Sequence, residues 1–294
     1  MPILEAEPML IEDVPFDVTI VGNLHGQFYD LDRLFRGDSK DGKPGWECMK
    51  YVFLGDDVDR GRQSIELVMA LFCIKCLHPD RIFLLRGHHE FYKTNKTNGL
   101  LTDCVERYTE LETGKYVYLK INEAFCWLSI AAIVGNIYFC AHGGISTSGF
   151  TRRQLRGVYK PIMMVDEDTL VRDICTSEPA EGLRGTIFNK DSGSIYFGFD
   201  ACCHALASME VVAIFRSHSR ISTGRASAWN VCHTVFTATN FERSGSQGAV
   251  AYVDAKGRVE FAILEVDEGR AEWEARLRAI EYLPDKPKNK KTGK

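Results

Sequence analysis

A chain of 294 residues with 45% apolar and 26% charged residues is long and apolar enough to bury a substantial core, which excludes a disordered or fibrous protein. The 36 Lys and Arg against 40 Asp and Glu leave a formal charge of -4, which removes the broad positive field that backbone-driven nucleic-acid binding needs; no nucleic-acid partner is expected. Apolar runs such as Ile130 to Val134 fall far short of the roughly 20 residues that span a bilayer, so no membrane span is expected either.

The opening residues include Pro2, Glu5 and Glu7 and lack the basic-then-apolar pattern of a secretory leader. Phe16 to Val21 alternates β-branched and aromatic residues and predicts a strand stopped by Gly22. After the loop GNLHGQ (Gly22 to Gln27), Phe28, Leu31 and Leu34 recur at helical spacing. Tyr51 to Leu54 predicts a second strand that ends in GDDVDRG, and Ile65 to Leu77 a helix broken before Pro79. Arg81 to Leu85 predicts a third strand, which leads directly into RGHHE (Arg86 to Glu90). Three times, an apolar strand runs into a loop dense in Asp, His, Gly or Arg, and loops leaving neighbouring strand ends of a layered α/β core are favoured to converge on one site.

Helical patterning covers about Leu100 to Phe125. Ser129 to Val134 and Asn136 to Cys140 read as a strand pair turning at Gly135 and Asn136, the second strand delivering AHGG (Ala141 to Gly144). Val211 to Phe215 delivers RSH (Arg216 to His218), Val231 to Ala238 leads to Asn240 and Phe241, and Val250 to Val253 with Val259 to Val266 read as a hairpin. Late strands without long intervening helices predict a second sheet, hence an α/β fold: a β-sandwich of two mixed sheets flanked by helices. Without an internal repeat or a linker, residues 1–284 are expected to form one domain. It would include an amphipathic helix from Glu268 to Leu283 striped by Trp273, Leu277, Ile280 and Leu283, with 285–294 a basic disordered tail.

Most of the ten cysteines sit in apolar strings and read as buried thiols, and with no secretory leader this suits an intracellular, cytoplasmic or nuclear protein. Cys73 and Cys76 form one C-x-x-C with no second pair to complete a thiolate zinc site.

Asn23, His25, Asp56, His88, His142 and His218 each stand just beyond an apolar run, often beside Gly. Imidazole, carboxylate and amide oxygen suit Mn, Zn or Fe, and a shared carboxylate can hold two ions. Arg60, Arg86 and Arg184 lie next to Gly in DRG, RGH and RGT, and a guanidinium fork suits phosphoryl oxygens. Asp59 and His89 suit a carboxylate–imidazole pair that protonates a leaving oxygen.

In that order, GNLHGQ, GDDVDRG, RGHHE, AHGG and RSH resemble the signature of the phosphoprotein phosphatase family of serine/threonine phosphatases, with the spacing of the type 1 and type 2A catalytic subunits over roughly Phe16 to Val266. The resemblance implies a metallophosphoesterase fold and two divalent ions, the first on Asn23, His25 and Asp56, the second on Asp56, His88, His142 and His218. It implies His89 as general acid oriented by Asp59, and Arg60 and Arg184 as phosphate-binding arginines. Asn240 and Phe241 fall in the loop that overhangs the active site. The implied activity is hydrolysis of phosphoserine and phosphothreonine in proteins by in-line attack of metal-bound hydroxide, commonly with a regulatory protein subunit.

Two positions depart from the family pattern in the metal set: Asn23 replaces the Asp of GDxHG, and His88 replaces the Asn of RGNHE. The first leaves a neutral amide where a carboxylate balances cation charge, so the first site is expected to be weak or empty. The alternative to a working phosphatase is therefore a phosphatase-like pseudoenzyme that binds phosphoprotein or a partner without turnover. A third departure, Glu242, replaces the Cys that follows the overhanging Asn-Tyr pair.

Overall fold

The computed structural model describes residues 1–38, 40, 42–147, 151–163, 168–190, 193–267 and 269–270. The expected helix from Glu268 to Leu283 and the basic tail lie almost wholly outside the described residues. In chain order the strands are β1 (Leu10–Val14), β2 (Val18–Val21), β3 (Lys50–Phe53), β4 (Ile82–Leu84), β5 (Ala131–Val134), β6 (Tyr138–Ala141) and β7 (Glu178–Pro179). They continue with β8 (Thr186–Asn189), β9 (Ser194–Phe197), β10 (Ala213–Arg216), β11 (Arg225–Ala228), β12 (Cys232–Val235), β13 (Gly248–Val253) and β14 (Val259–Leu264).

Among the described residues they form a six-stranded sheet in the order β1-β5-β6-β10-β12-β11, a five-stranded sheet in the order β14-β13-β2-β3-β4 and a small sheet β7-β9-β8. Both large sheets are mixed. In the five-stranded sheet β2, β3 and β4 run parallel while β13 is antiparallel to β2 and β14. In the other, β1 is parallel to β5 and β10 to both β6 and β12, while β5–β6 and β11–β12 are antiparallel. This is the predicted α/β architecture.

Side-chain alternation explains why both sheets are covered on both faces. In β3 and its flank, Val52 and Leu54 enter the layer between the sheets, where Ile20, Phe83, Cys140, Phe215 and Val235 meet them. Tyr51 and Phe53 point the other way, into the layer beneath the helices Phe28–Gly37, Ser64–Leu77 and Leu111–Phe125. Across the sandwich, Ile133, Phe139 and Ile214 pack outward under the helices Thr169–Thr176 and Phe199–Met209. A strand buried on both faces reads as a continuous apolar run, and that is why these segments stand out in the sequence.

Burial of both faces leaves polar groups a place only where the strands end. The loops after β2, β3, β4, β6, β10 and β12 all leave at the same end of the sandwich, where the sheets touch through the parallel bridges Asn23–Phe236 and Leu85–Ser129. The loops after β3 and β4 come together because two glycines face each other: a Cβ on Gly55, whose φ is +99°, would lie 2.3 Å from Gly87 N, and one on Gly87 would lie 2.4 Å from Asp56 N. Substituting Gly87→Ala is expected to lower unfolding stability by more than about 2 kcal/mol, read from the urea midpoint, because the methyl collides with backbone rather than a movable side chain. An unchanged midpoint would mean that the two loops do not approach as described.

Candidate metal centre

Asp56 is the meeting point. It is 2% exposed and sits at a φ of 57°, a left-handed conformation that turns its carboxylate back over the strand ends. Oδ1 accepts the His89 N–H at 2.7 Å, and Oδ2 faces the Nε2 atoms of His142 at 3.1 Å and His25 at 3.8 Å. Burial opposes the charge of this carboxylate, so the site calls for a positive partner at this point.

The imidazoles are turned by backbone carbonyls. Nδ1–H of His25 donates to Val58 O and Nδ1–H of His142 to Leu54 O, each at 3.0 Å, so that both Nε2 atoms present lone pairs toward Asp56. Burial pushes His25 down to about 3 and His218 well below its ordinary value, so both rings are neutral at neutral pH, the form that can meet a metal ion. His142 Nε2 and His218 Nδ1 are buried without a hydrogen-bond partner. An imidazole lone pair set against a carboxylate oxygen is electrostatically unfavourable unless a cation lies between them, and these orphaned atoms therefore fit a metal ion.

Two overlapping groups of atoms that could hold an ion result, each with all its atoms within 4.8 Å of one another: His25, Asp56 and His89, and Asp56, His142 and His218. They share the Asp56 carboxylate, which is the two-metal architecture of phosphomonoester hydrolases. His88 stands beside the second group and outside it. Its half-buried ring lies edge-on to His218, His89 and Phe91 at 5.5, 5.4 and 5.6 Å between centroids, and burial pushes it down to about 4.

Asn23 does not present the carbonyl oxygen expected of it. Its Oδ1 accepts the His218 backbone N–H at 3.0 Å and lies against the Ser217 hydroxyl, while Nδ2 faces Asp56 Oδ2 at 3.0 Å and His25 Nε2 at 2.9 Å. A backbone N–H can only donate, so the amide orientation is set by the protein: turning it over would put two donors face to face and leave buried groups unpaired, at a cost of about 1–3 kcal/mol each. An NH2 group, which has no lone pair to give, therefore stands where a carboxylate would have offered an oxygen.

Beside the first group, Nδ1 of His89 lies 2.6 Å from Asp59 Oδ2, and Asp59 is fixed by accepting the Leu100 N–H on Oδ1 (2.7 Å) and donating its own N–H to Ser64 Oγ (3.1 Å). Burial disfavours the imidazolium, but Asp56 and the bond to Asp59 outweigh it and raise the His89 pKa above the ordinary value, as a proton donor at neutral pH requires. Arg60, exposed, follows directly at a φ of 65°. Phe241 packs its ring against His25 at 5.1 Å and Phe236 at 5.2 Å, closing the first group from above, and Asn240 holds the turn by accepting the Gly245 N–H at 2.9 Å.

Two arginines are placed elsewhere than a phosphate site requires or outside its hydrogen-bonded frame. Arg86 is 1% exposed and gives its guanidinium to Ile162 O (2.8 Å) and Glu90 O (3.1 Å) over the face of Phe91. It holds the loop together from inside and does not face substrate, a correction to the expectation from its Gly neighbour. Arg184 is exposed in the turn before β8, near Asp200, and among the described residues no hydrogen bond or ion pair ties it to either ligand group.

Sequence reasoning passed over two positioning residues. The buried Glu90 carboxylate accepts the N–H groups of Asp56 (2.9 Å), Asp57 (2.9 Å) and Gly87 (2.8 Å), clamping the two metal loops. Ser217 Oγ accepts the Asn23 N–H at 2.9 Å and bridges to Val235 O at 2.6 Å, joining the two sheets. Both lie inside the quoted motifs, which was the available signal.

The calcineurin-like phosphoesterase family model matches residues 16–220. The chain belongs to that family. It is 32% identical over 250 residues, 84% of this chain and 76% of the relative, to a protein phosphatase 2A catalytic subunit of Dictyostelium discoideum. The structure of a serine/threonine phosphatase of Saccharomyces cerevisiae with similarity to human phosphatase PP5 superposes with a TM-score of 0.81 at 27% identity, covering 91% of this chain and 87% of that one. A cold-active protein-tyrosine phosphatase of a Shewanella species shares the fold at 15% identity, with a TM-score of 0.56 over 89% of this chain and 84% of that one. The phosphoesterase contains, among the described residues, no helix long and apolar enough to cross a membrane.

Titration of the metal-free phosphoesterase with Mn, followed by native mass spectrometry, is expected to show one ion bound at least about tenfold more tightly than a second. In Asn23→Asp the second ion should gain at least that factor. Two equal affinities in the unaltered protein would contradict the amide orientation.

Proposed function

We propose that this phosphoesterase hydrolyses phosphoserine and phosphothreonine monoesters in proteins. The observation that carries the reading is the His89–Asp59 pair at 2.6 Å beside the shared carboxylate of Asp56, with Arg60 next in the chain. An acid for the leaving alkoxide, a divalent-metal cradle and a cation for the phosphoryl oxygens stand together. Similarity over most of the chain to a protein phosphatase 2A catalytic subunit and to a serine/threonine phosphatase structure supports a protein substrate. Mn, Zn or Fe suits the mixed nitrogen and oxygen ligands, and a regulatory protein subunit fits the resemblance to the type 2A subunit.

Bound divalent ions supply Lewis acidity and lower the pKa of water. The chain's own residues do the rest. Arg60 orients the phosphoryl group. His89 Nε2, its Nδ1–H held by Asp59, delivers a proton to the leaving serine or threonine oxygen, so that the alcohol departs neutral. Phe241 over His25 keeps the first ligand group dry, which strengthens every charge interaction inside.

A second reading, binding of phosphoprotein without turnover, is favoured by the Asn23 NH2 group facing His25 and Asp56. With Mn present, a phosphothreonine peptide separates the two. Turnover that falls about 10²- to 10⁴-fold in His89→Ala supports hydrolysis. Arg60-dependent binding with no released phosphate, and phosphate release gained only in Asn23→Asp with His88→Asn, supports the binding protein.

A further inference from the structure

The turn after β12 carries three residues other than glycine in left-handed backbone: Asn240 (φ 48°), Glu242 (φ 50°) and Arg243 (φ 62°). Left-handed conformation is natural for Asn and unfavourable for Glu and Arg. The turn persists because its hydrogen bonds over-determine it: Asn240 N–H to Ser246 O (2.7 Å), Phe241 N–H to Ser246 Oγ (3.1 Å) and Arg243 N–H to Asn240 O (2.8 Å). Backbone strain of this kind concentrates where side-chain direction matters to function.

Here the strain sends neighbouring side chains in opposite directions. Phe241 goes inward onto His25. Glu242 goes outward, and its carboxylate lies between two guanidinium groups, Oε1 at 3.9 Å from Arg60 Nη1 and Oε2 at 3.2 Å from Arg220 Nη1. Arg220 is itself seated on the Phe241 ring at 5.1 Å. Arg60 is 42%, Arg220 45% and Glu242 46% exposed at the side chain, so all three are reached from solvent. A carboxylate between two arginines is the arrangement that a phosphoryl dianion would itself take.

We propose that Glu242 determines specificity at the phosphate mouth: its carboxylate occupies the place of an anion between Arg60 and Arg220, so that an incoming phosphomonoester must displace it. The inference rests on the reading of Arg60 as the phosphate-binding arginine. Once displaced, the carboxylate remains beside the bound phosphoresidue. It repels an acidic flank and attracts a basic one, so the preferred substrate is a phosphopeptide with Lys or Arg next to the phosphoresidue.

Calorimetric binding to the full-length, Mn-loaded protein tests this, with inorganic phosphate and with phosphothreonine peptides of basic or acidic flanks as probes. Since exposed ion pairs are individually weak, Glu242→Gln is expected to tighten phosphate about three- to tenfold. The gain should vanish in an Arg60→Ala background, and the preference for the basic-flanked peptide should shrink. A Glu242→Gln affinity that is unchanged or weaker, or a gain that persists without Arg60, overturns the proposal while an Arg60-dependent phosphate site still stands. Phosphate binding that is absent, or indifferent to Arg60→Ala, overturns the proposal together with the reading of the mouth on which it rests.

Discussion

Everything at the functional end of the sandwich depends on one buried negative charge. Asp56 is held at 2% exposure with the Nε2 atoms of His25 and His142 turned toward it, and the rings cannot turn away because Val58 O and Leu54 O hold their other nitrogens. Burying a carboxylate is expensive, and the unpaired His142 Nε2 turned toward it makes the arrangement worse. The surrounding loops fit a positive charge at this point, and a divalent ion is the charge that ligands of this kind accept.

The position of Asp56 follows from the way the fold disposes of apolar surface. The central strands β2, β3 and β4, buried almost throughout, leave little room for charged side chains, and because they run parallel they bring their carboxyl-end loops side by side. Glu90 then ties the loop after β3 to the loop after β4 through three N–H groups, at the price of a carboxyl that burial and Asp56 both push up. Ser217 ties the five-stranded sheet to the six-stranded one. The residues that could hold a metal are thus set by a polar scaffold as buried as they are.

Much of this was legible in the sequence, for a physical reason. Strands buried on both faces leave apolar runs, and the charged loops that follow them stand out by contrast; β2 to β6, β10, β12 and β13 announce themselves this way. The strand β1 does not, because LIEDV carries two acids and its partner β5 lies more than a hundred residues downstream. The small β7-β9-β8 sheet was hidden as well: β7 has two residues, and β8 is mostly exposed. Residue types were read more securely than directions. Arg86 beside Gly87 suggested a phosphate ligand, yet the carbonyls it serves, Ile162 and Glu90, draw it inward. That Asn23 would turn its NH2 toward His25 and Asp56 was decided by the His218 N–H, 195 positions away.

We place a divalent ion on the Asp56 carboxylate, with His142 and His218 as companions. Anomalous diffraction at the metal edge from crystals grown with Mn measures this directly. The strongest peak is expected at bonding distance from Asp56 Oδ2, His142 Nε2 and His218 Nδ1. Fully occupied Mn at some other group, with no peak among these three residues, would contradict it.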